Sequence, residues 1–185
     1  MEPGGTLTLD PPRLARRVLV TVLWIQLALM IGDLVFNYWD AVGHISIRRI
    51  FNVAREQSLP TWFASLQAGL VAVTAWLLWR LEGARAWLFT AGFFLYVSID
   101  DASEVHERVA TALSESFPTL PLLSDYPSFS WHLLIAPILA GGLLAIGVFL
   151  WFRIPTRQTR LLVFAGLAAF GVSQSFDVLE GIEGH

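Results

Sequence analysis

The chain has 185 residues, 55% of them hydrophobic, with a mean hydropathy of +0.60. That is too apolar for an ordinary soluble domain and long enough for about five membrane crossings. The formal charge is −3 and no basic stretch is interleaved with aromatics, which argues against nucleic acid as a partner. Cysteine is absent, which rules out disulfides and thiolate ligands and leaves His, Asp, Glu or water for any metal.

The expected architecture is all-α, a single integral membrane helical bundle with five transmembrane helices. Residues 1–12 are polar and rich in Gly and Pro, and Arg13, Arg16 and Arg17 then precede an apolar run from Val18 to Phe36. A signal peptide would have a shorter core and a small-residue cleavage site, so 18–36 reads as an uncleaved first span. Its far end carries Asp33, Asn37, Tyr38 and Asp40.

Across 45–56, Ile47, Ile50, Phe51 and Ala54 recur at helical spacing, with Arg48, Arg49, Asn52 and Arg55 opposite, as in a short helix lying in the interface. Ser58 and Pro60 supply the cap and first turn of a second span over 59–80, closed by Arg80. After a tight polar turn the third span covers 86–109 and runs into Asp100, Asp101, Glu104, His106 and Glu107. The outer loop, 110–130, is broken by Pro118, Pro121 and Pro127 yet apolar through Phe117, Leu120, Leu122, Leu123 and Phe129. It should lie on or dip into the outer leaflet and cover the acidic site, admitting a lipid-like substrate or packing on a partner. The fourth span, 131–152, has Pro137 to kink its first turns, and the fifth, 161–181, has sixteen uncharged residues before Asp177.

The third span is where chemistry is expected. From Ala86 to Ile99 there are fourteen uncharged residues, about 21 Å of helix. The hydrocarbon core is ~30 Å thick, so Asp100 and Asp101 fall about 9 Å short of the far surface. Acids at that depth are costly unless paired, protonated or turned towards water, which makes them functional candidates.

Loop arginines set the orientation, because cytoplasmic loops carry the basic excess. With the amino terminus inside, Arg13, Arg16, Arg17, Arg80, Arg85, Arg153, Arg157 and Arg160 face the cytoplasm, against Arg48, Arg49, Arg55 and Arg108 outside. The carboxyl terminus is then periplasmic. This topology puts all the acids except Glu2, Asp10 and Glu82 on the outer side, with all four histidines, His44, His106, His132 and His185. Exposed loop acids such as Glu115 and Asp125 need no site to explain them, but Asp33, Asp100, Asp101 and Asp177 lie inside apolar spans.

A shift of 76 residues places Glu56 on His132, Asp101 on Asp177 and Glu104 on Glu180, and overlays spans two and three on four and five. That is the pattern of a 2+2 helix internal repeat about an axis along the membrane normal. Asp101 and Glu104, like Asp177 and Glu180, are three apart and share a face on a regular helix. With Glu56 and His132 they would give six inward groups, comparable to carboxylate-bridged di-metal bundles, though those typically use Glu-x-x-His. His106 could add a second nitrogen only where the helix frays or turns, since it lies two residues from Glu104. Two other faces compete: Asp100, Glu104 and Glu107, and Asp100, Ser103 and His106. Each candidate also has an ordinary reading. His132 beside Trp131 suits an interfacial polar residue, Glu56 suits the cap region near Ser58, and Asp33 suits an arginine partner or a carboxylate orienting a histidine.

The pieces Phe51-Asn52 through Glu56, Pro60-Thr61-Trp62-Phe63 and Asp100-Asp101 through His106-Glu107 resemble a group of multi-pass bacterial membrane proteins without an assigned activity. The resemblance implies a location in the bacterial inner membrane and no particular reaction. Transmembrane hydrolases of the ceramidase type also gather acids and histidines at one face, but their His-x-x-x-His is absent from this sequence.

The function expected is a metal-binding membrane protein, an enzyme acting on a lipid-like or membrane-soluble substrate at the periplasmic face. Glu56, Asp101, Glu104, His106, His132, Asp177 and Glu180 are the candidate ligands for one divalent ion or a di-metal centre, with Asp100 and Glu107 as candidate general bases. Such an ion would activate water for hydrolysis, or two irons would activate oxygen. The alternative is a non-catalytic accessory subunit whose acids pair with arginines of other membrane subunits. Membrane lipids are partners in either case.

Overall fold

A computed structural model describes residues 11–38, 45–53, 55, 57–116 and 136–183, and these are helices joined by short connections, with no strand among them. The chain divides into two compact units, residues 1–64 and 65–185.

In the first unit, α1 (Pro11–Asp33) runs into one widened π turn, Leu34–Tyr38, and is followed by α2 (Ile45–Phe51). The joint between them is polar, because a helix end leaves carbonyls unpartnered. Arg48 Nε donates to the Phe36 carbonyl at 2.9 Å, and Asn37 Nδ2 donates to the Arg48 carbonyl at 3.2 Å and to Asp33 Oδ1 at 2.8 Å. Asp33 also accepts the Val53 backbone N–H at 3.3 Å, which is where the helix expected over 45–56 has already ended. Asp33 therefore anchors the chain leaving α2. Phe36 and Phe51 close the joint with ring centroids 5.0 Å apart.

Helix α3 (Leu59–Glu82) starts at the cap read from the sequence: Ser58 is buried, its hydroxyl accepts the Thr61 N–H at 3.4 Å, and Pro60 sits in the first turn. In the second unit the rest of α3 packs on α4 (Arg85–Ser103) through the small buried residues Ser65, Ala72 and Ala75, which let two backbones approach closely. Gly83 makes the turn between them possible, with φ 72 and its N–H returned to the Trp79 carbonyl at 2.8 Å.

Beyond α4 come α5 (Val105–Ser116), α6 (Ala136–Arg153) and α7 (Arg157–Glu183). The described part of α6 has Pro137 in its first turn, a position that needs no intrahelical N–H bond. Gly142 lets the Phe93 ring of α4 lie against α6, where a Cβ would come within 2.6 Å of the ring. Trp87 is the largest side chain of the core cluster with Ala75 and Ala91, and it meets Phe149 edge to face at 4.9 Å.

Among the described residues two helices are long and apolar enough to cross a membrane, Arg13–Asn37 and Leu59–Glu82, and the apolar part of α6, Pro137–Arg153, is shorter. None of the hydrophobic window of the first is buried and only 22% of the second, so most of their apolar surface lies outside the small core around Ala75, Trp87 and Ala91. On α6, Ile138, Leu144 and Phe152 are likewise exposed.

Candidate functional site

The sequence alone leaves 86–109 as one uninterrupted helix, but α4 stops at Ser103 and α5 starts at Val105. Between them Glu104 is left-handed, φ 54 and ψ 37, the one positive-φ residue other than glycine among those described. Its N–H closes α4 on the Asp100 carbonyl at 2.8 Å. L-residues pay a steric penalty there, and backbone strain of this kind gathers at functional sites.

The break has a local cause. The first N–H groups of α5 lack intrahelical acceptors, and the Asp100 side chain reaches across the bend to supply one. Its Oδ1 accepts the His106 N–H at 2.8 Å, while Oδ2 lies 2.9 Å from His106 Nδ1. Asp100 is only 6% exposed, and the Tyr96 hydroxyl one turn earlier interacts with the same carboxylate. A buried carboxylate so held favours the tautomer with the proton on Nδ1, which turns the lone pair of the imidazole to Nε2.

Below the bend, α3 and α4 are clasped by a reciprocal pair. Ser65 Oγ donates to the Ser98 carbonyl at 2.6 Å, and Ser98 Oγ donates to the Ser65 carbonyl at 2.8 Å. The clasp fixes the turn of α4 that carries Asp100. Neither serine stood out in the sequence reading. The signal was there, since small polar residues inside apolar helices commonly mark helix contacts.

Of the candidate residues, the structure brings together Asp100 and His106, and it does so through the turn that His106 required. Asp101, in the last turn of α4, and Glu104, at the break itself, are half-buried. Glu107 lies on α5 and Asp177 and Glu180 lie on α7, with side chains outside those described. Glu56 and His132 fall outside the described residues altogether, as do His44 and His185. Among the described residues no group of three or more His, Asp and Glu is close enough to hold a metal ion. Asp100 and His106 are instead a carboxylate–histidine unit, an arrangement that orients a ligating or proton-accepting imidazole.

The strain at Glu104 is measurable. Glu104→Ala and Glu104→Gly both remove the carboxylate, but only glycine tolerates the backbone without cost, so the Gly variant should be about 1 kcal/mol more stable than the Ala variant. Chemical unfolding in detergent reads the difference, and equal stability would mean the turn carries no strain.

Among the described residues these features define an all-helical protein with two helices long and apolar enough to cross a membrane and an acid–histidine pair at a helix break. The chain belongs to the family described as Domain of unknown function (DUF8692), whose model matches residues 17–185. No curated protein and no solved structure matches the chain.

Proposed function

We propose that the chain is a five-span protein of the bacterial inner membrane, amino terminus cytoplasmic and carboxyl terminus periplasmic, with a divalent metal site at the periplasmic face. The Asp100–His106 pair carries this reading. It lies at the end of an apolar helix, where a buried acid needs a reason, and it presents the imidazole as metal-binding histidines are usually presented, Nδ1 on a carboxylate and Nε2 as the ligand atom. Asp100 is then a positioning residue for His106.

One imidazole does not make a metal site. Glu104 and Asp101 beside the break, and His132, Asp177 and Glu180 from the fourth and fifth spans, are the residues that would complete it. A set of carboxylates with one or two nitrogens suits hard or intermediate ions. The ion would polarise a carbonyl or phosphoryl oxygen and lower the pKa of bound water, chemistry suited to hydrolysis of a lipid-like substrate.

Metal analysis of the detergent-purified protein, beside Glu104→Ala and Asp177→Ala, tests the proposal. The expected result is stoichiometric metal in the parent and its loss in both variants. Metal-free parent protein that co-purifies with a fixed membrane partner would overturn it in favour of an accessory subunit.

A further inference from the structure

We infer that the turn between α6 and α7 binds the phosphate of an anionic phospholipid at the cytoplasmic surface, which rests on the membrane reading above but not on its metal site. Glu82, at the end of α3, ties together the elements at this end of the second unit. Its Oε2 accepts from Trp87 Nε1 at 2.8 Å and from Arg153 Nε at 3.2 Å. The same elements carry Arg80, Arg85, Arg157 and Arg160, yet Glu82 is the one acid between Glu56 and Asp100, and none occurs between Asp125 and Asp177. Arg153 and Trp87 already use it. Arg85 and Arg157 have no ion pair among the described residues, so the charge here calls for an anion from outside these helices.

Arg160 is held ready for one. Its guanidinium stacks over Trp151, 4.7 Å from the ring centroid, and its Nη2 donates to the Ile154 carbonyl at 2.7 Å. Its Nε is buried and has no hydrogen-bond partner among the described residues, a donor left unsatisfied unless the side chain shifts to meet an outside acceptor such as a phosphate oxygen. Helix α7 has no acid in its first turn, where the dipole favours negative charge, and Arg157 stands there instead. Two cations at that position repel the helix end unless an anion sits between them.

The flanks identify the source of the anion. Trp151, Phe152, Leu161 and Leu162 are all large, apolar and at least 50% exposed on either side of the turn. A phosphate bound among them would have acyl chains beside it, as a lipid headgroup does and a free ion does not.

Native mass spectrometry of the full chain in detergent, titrated with phosphatidylglycerol or phosphatidylcholine, tests the site. Each arginine near a headgroup contributes a factor of about 5, so Arg157→Gln with Arg160→Gln should bind phosphatidylglycerol about 25-fold more weakly than the parent. Arg157→Gln alone removes an exposed side chain with no partner to lose, and it should bind about 5-fold more weakly. Arg16→Gln with Arg17→Gln, also cytoplasmic by topology, should bind as the parent does. Equal loss in that control, no preference for phosphatidylglycerol over phosphatidylcholine, or displacement by equimolar inorganic phosphate would each overturn the lipid site. The membrane reading fails separately, if the chain is recovered in buffer without detergent.

Discussion

Asp100→Ala should destabilise the protein by about 2–4 kcal/mol, because it removes a buried acceptor of two hydrogen bonds. The loss has two parts. The His106 N–H loses the acceptor that stands in for an intrahelical one at the start of α5, and His106 Nδ1 loses the carboxylate that orients it. Asp100→Asn separates them. An asparagine carbonyl still accepts the backbone N–H, so stability should fall by only about half as much. Its amide, however, donates towards Nδ1 and moves the ring proton to Nε2. Metal affinity in Asp100→Asn should therefore fall about 10–100-fold, the usual cost of losing the group behind a metal-binding histidine. Unfolding curves and metal titrations on the two variants check both parts. A pair that only caps α5 would give the stability losses and leave metal binding untouched.

Trp87→Ala should cost about 3–5 kcal/mol, the range for truncating a large aromatic in a packed core. Trp87 is 9% exposed and packs with Ala75 and Ala91, small residues that cannot move in to fill the space. Trp87→Phe keeps an aromatic ring near Phe149 and loses chiefly the Nε1–Glu82 hydrogen bond, so it should cost about 1 kcal/mol more than its lost area. Trp62→Ala, at a side chain 71% exposed, is the control and should change stability by under about 0.5 kcal/mol. Denaturant titration in detergent distinguishes the three. Equal losses from Trp87→Ala and Trp62→Ala would contradict the packing described.

How much of this was legible beforehand follows from where the information resides. An all-helical fold is written in the long apolar runs, and the start of α3 in Ser58 and Pro60, because caps are local chemistry. The bend at Glu104 was not legible. Asp-Asp-Ala-Ser-Glu contains neither Gly nor Pro, and the helix yields where the Asp100 side chain, six residues before His106, takes the His106 N–H. Three faces of the acidic stretch were compatible with the sequence, and the bend brings Asp100 and His106, which share one of those faces, into direct contact. Asp33 failed for a similar reason: its partners, Asn37 and the Val53 N–H, belong to a joint that exists only once α2 has docked.

The nitrogen of His106 that faces away from Asp100 distinguishes a metal site from a plain helix joint. Nitrogen chemical shifts of 15N-histidine-labelled protein, with the His106 signals assigned by their loss in His106→Gln, read it directly before and after addition of zinc. The prediction is a protonated Nδ1 throughout and an Nε2 resonance that moves to a metal-bound position. An Nε2 resonance unchanged by zinc, while His106 stays hydrogen-bonded to Asp100, would contradict the metal site and leave the pair a helix joint alone.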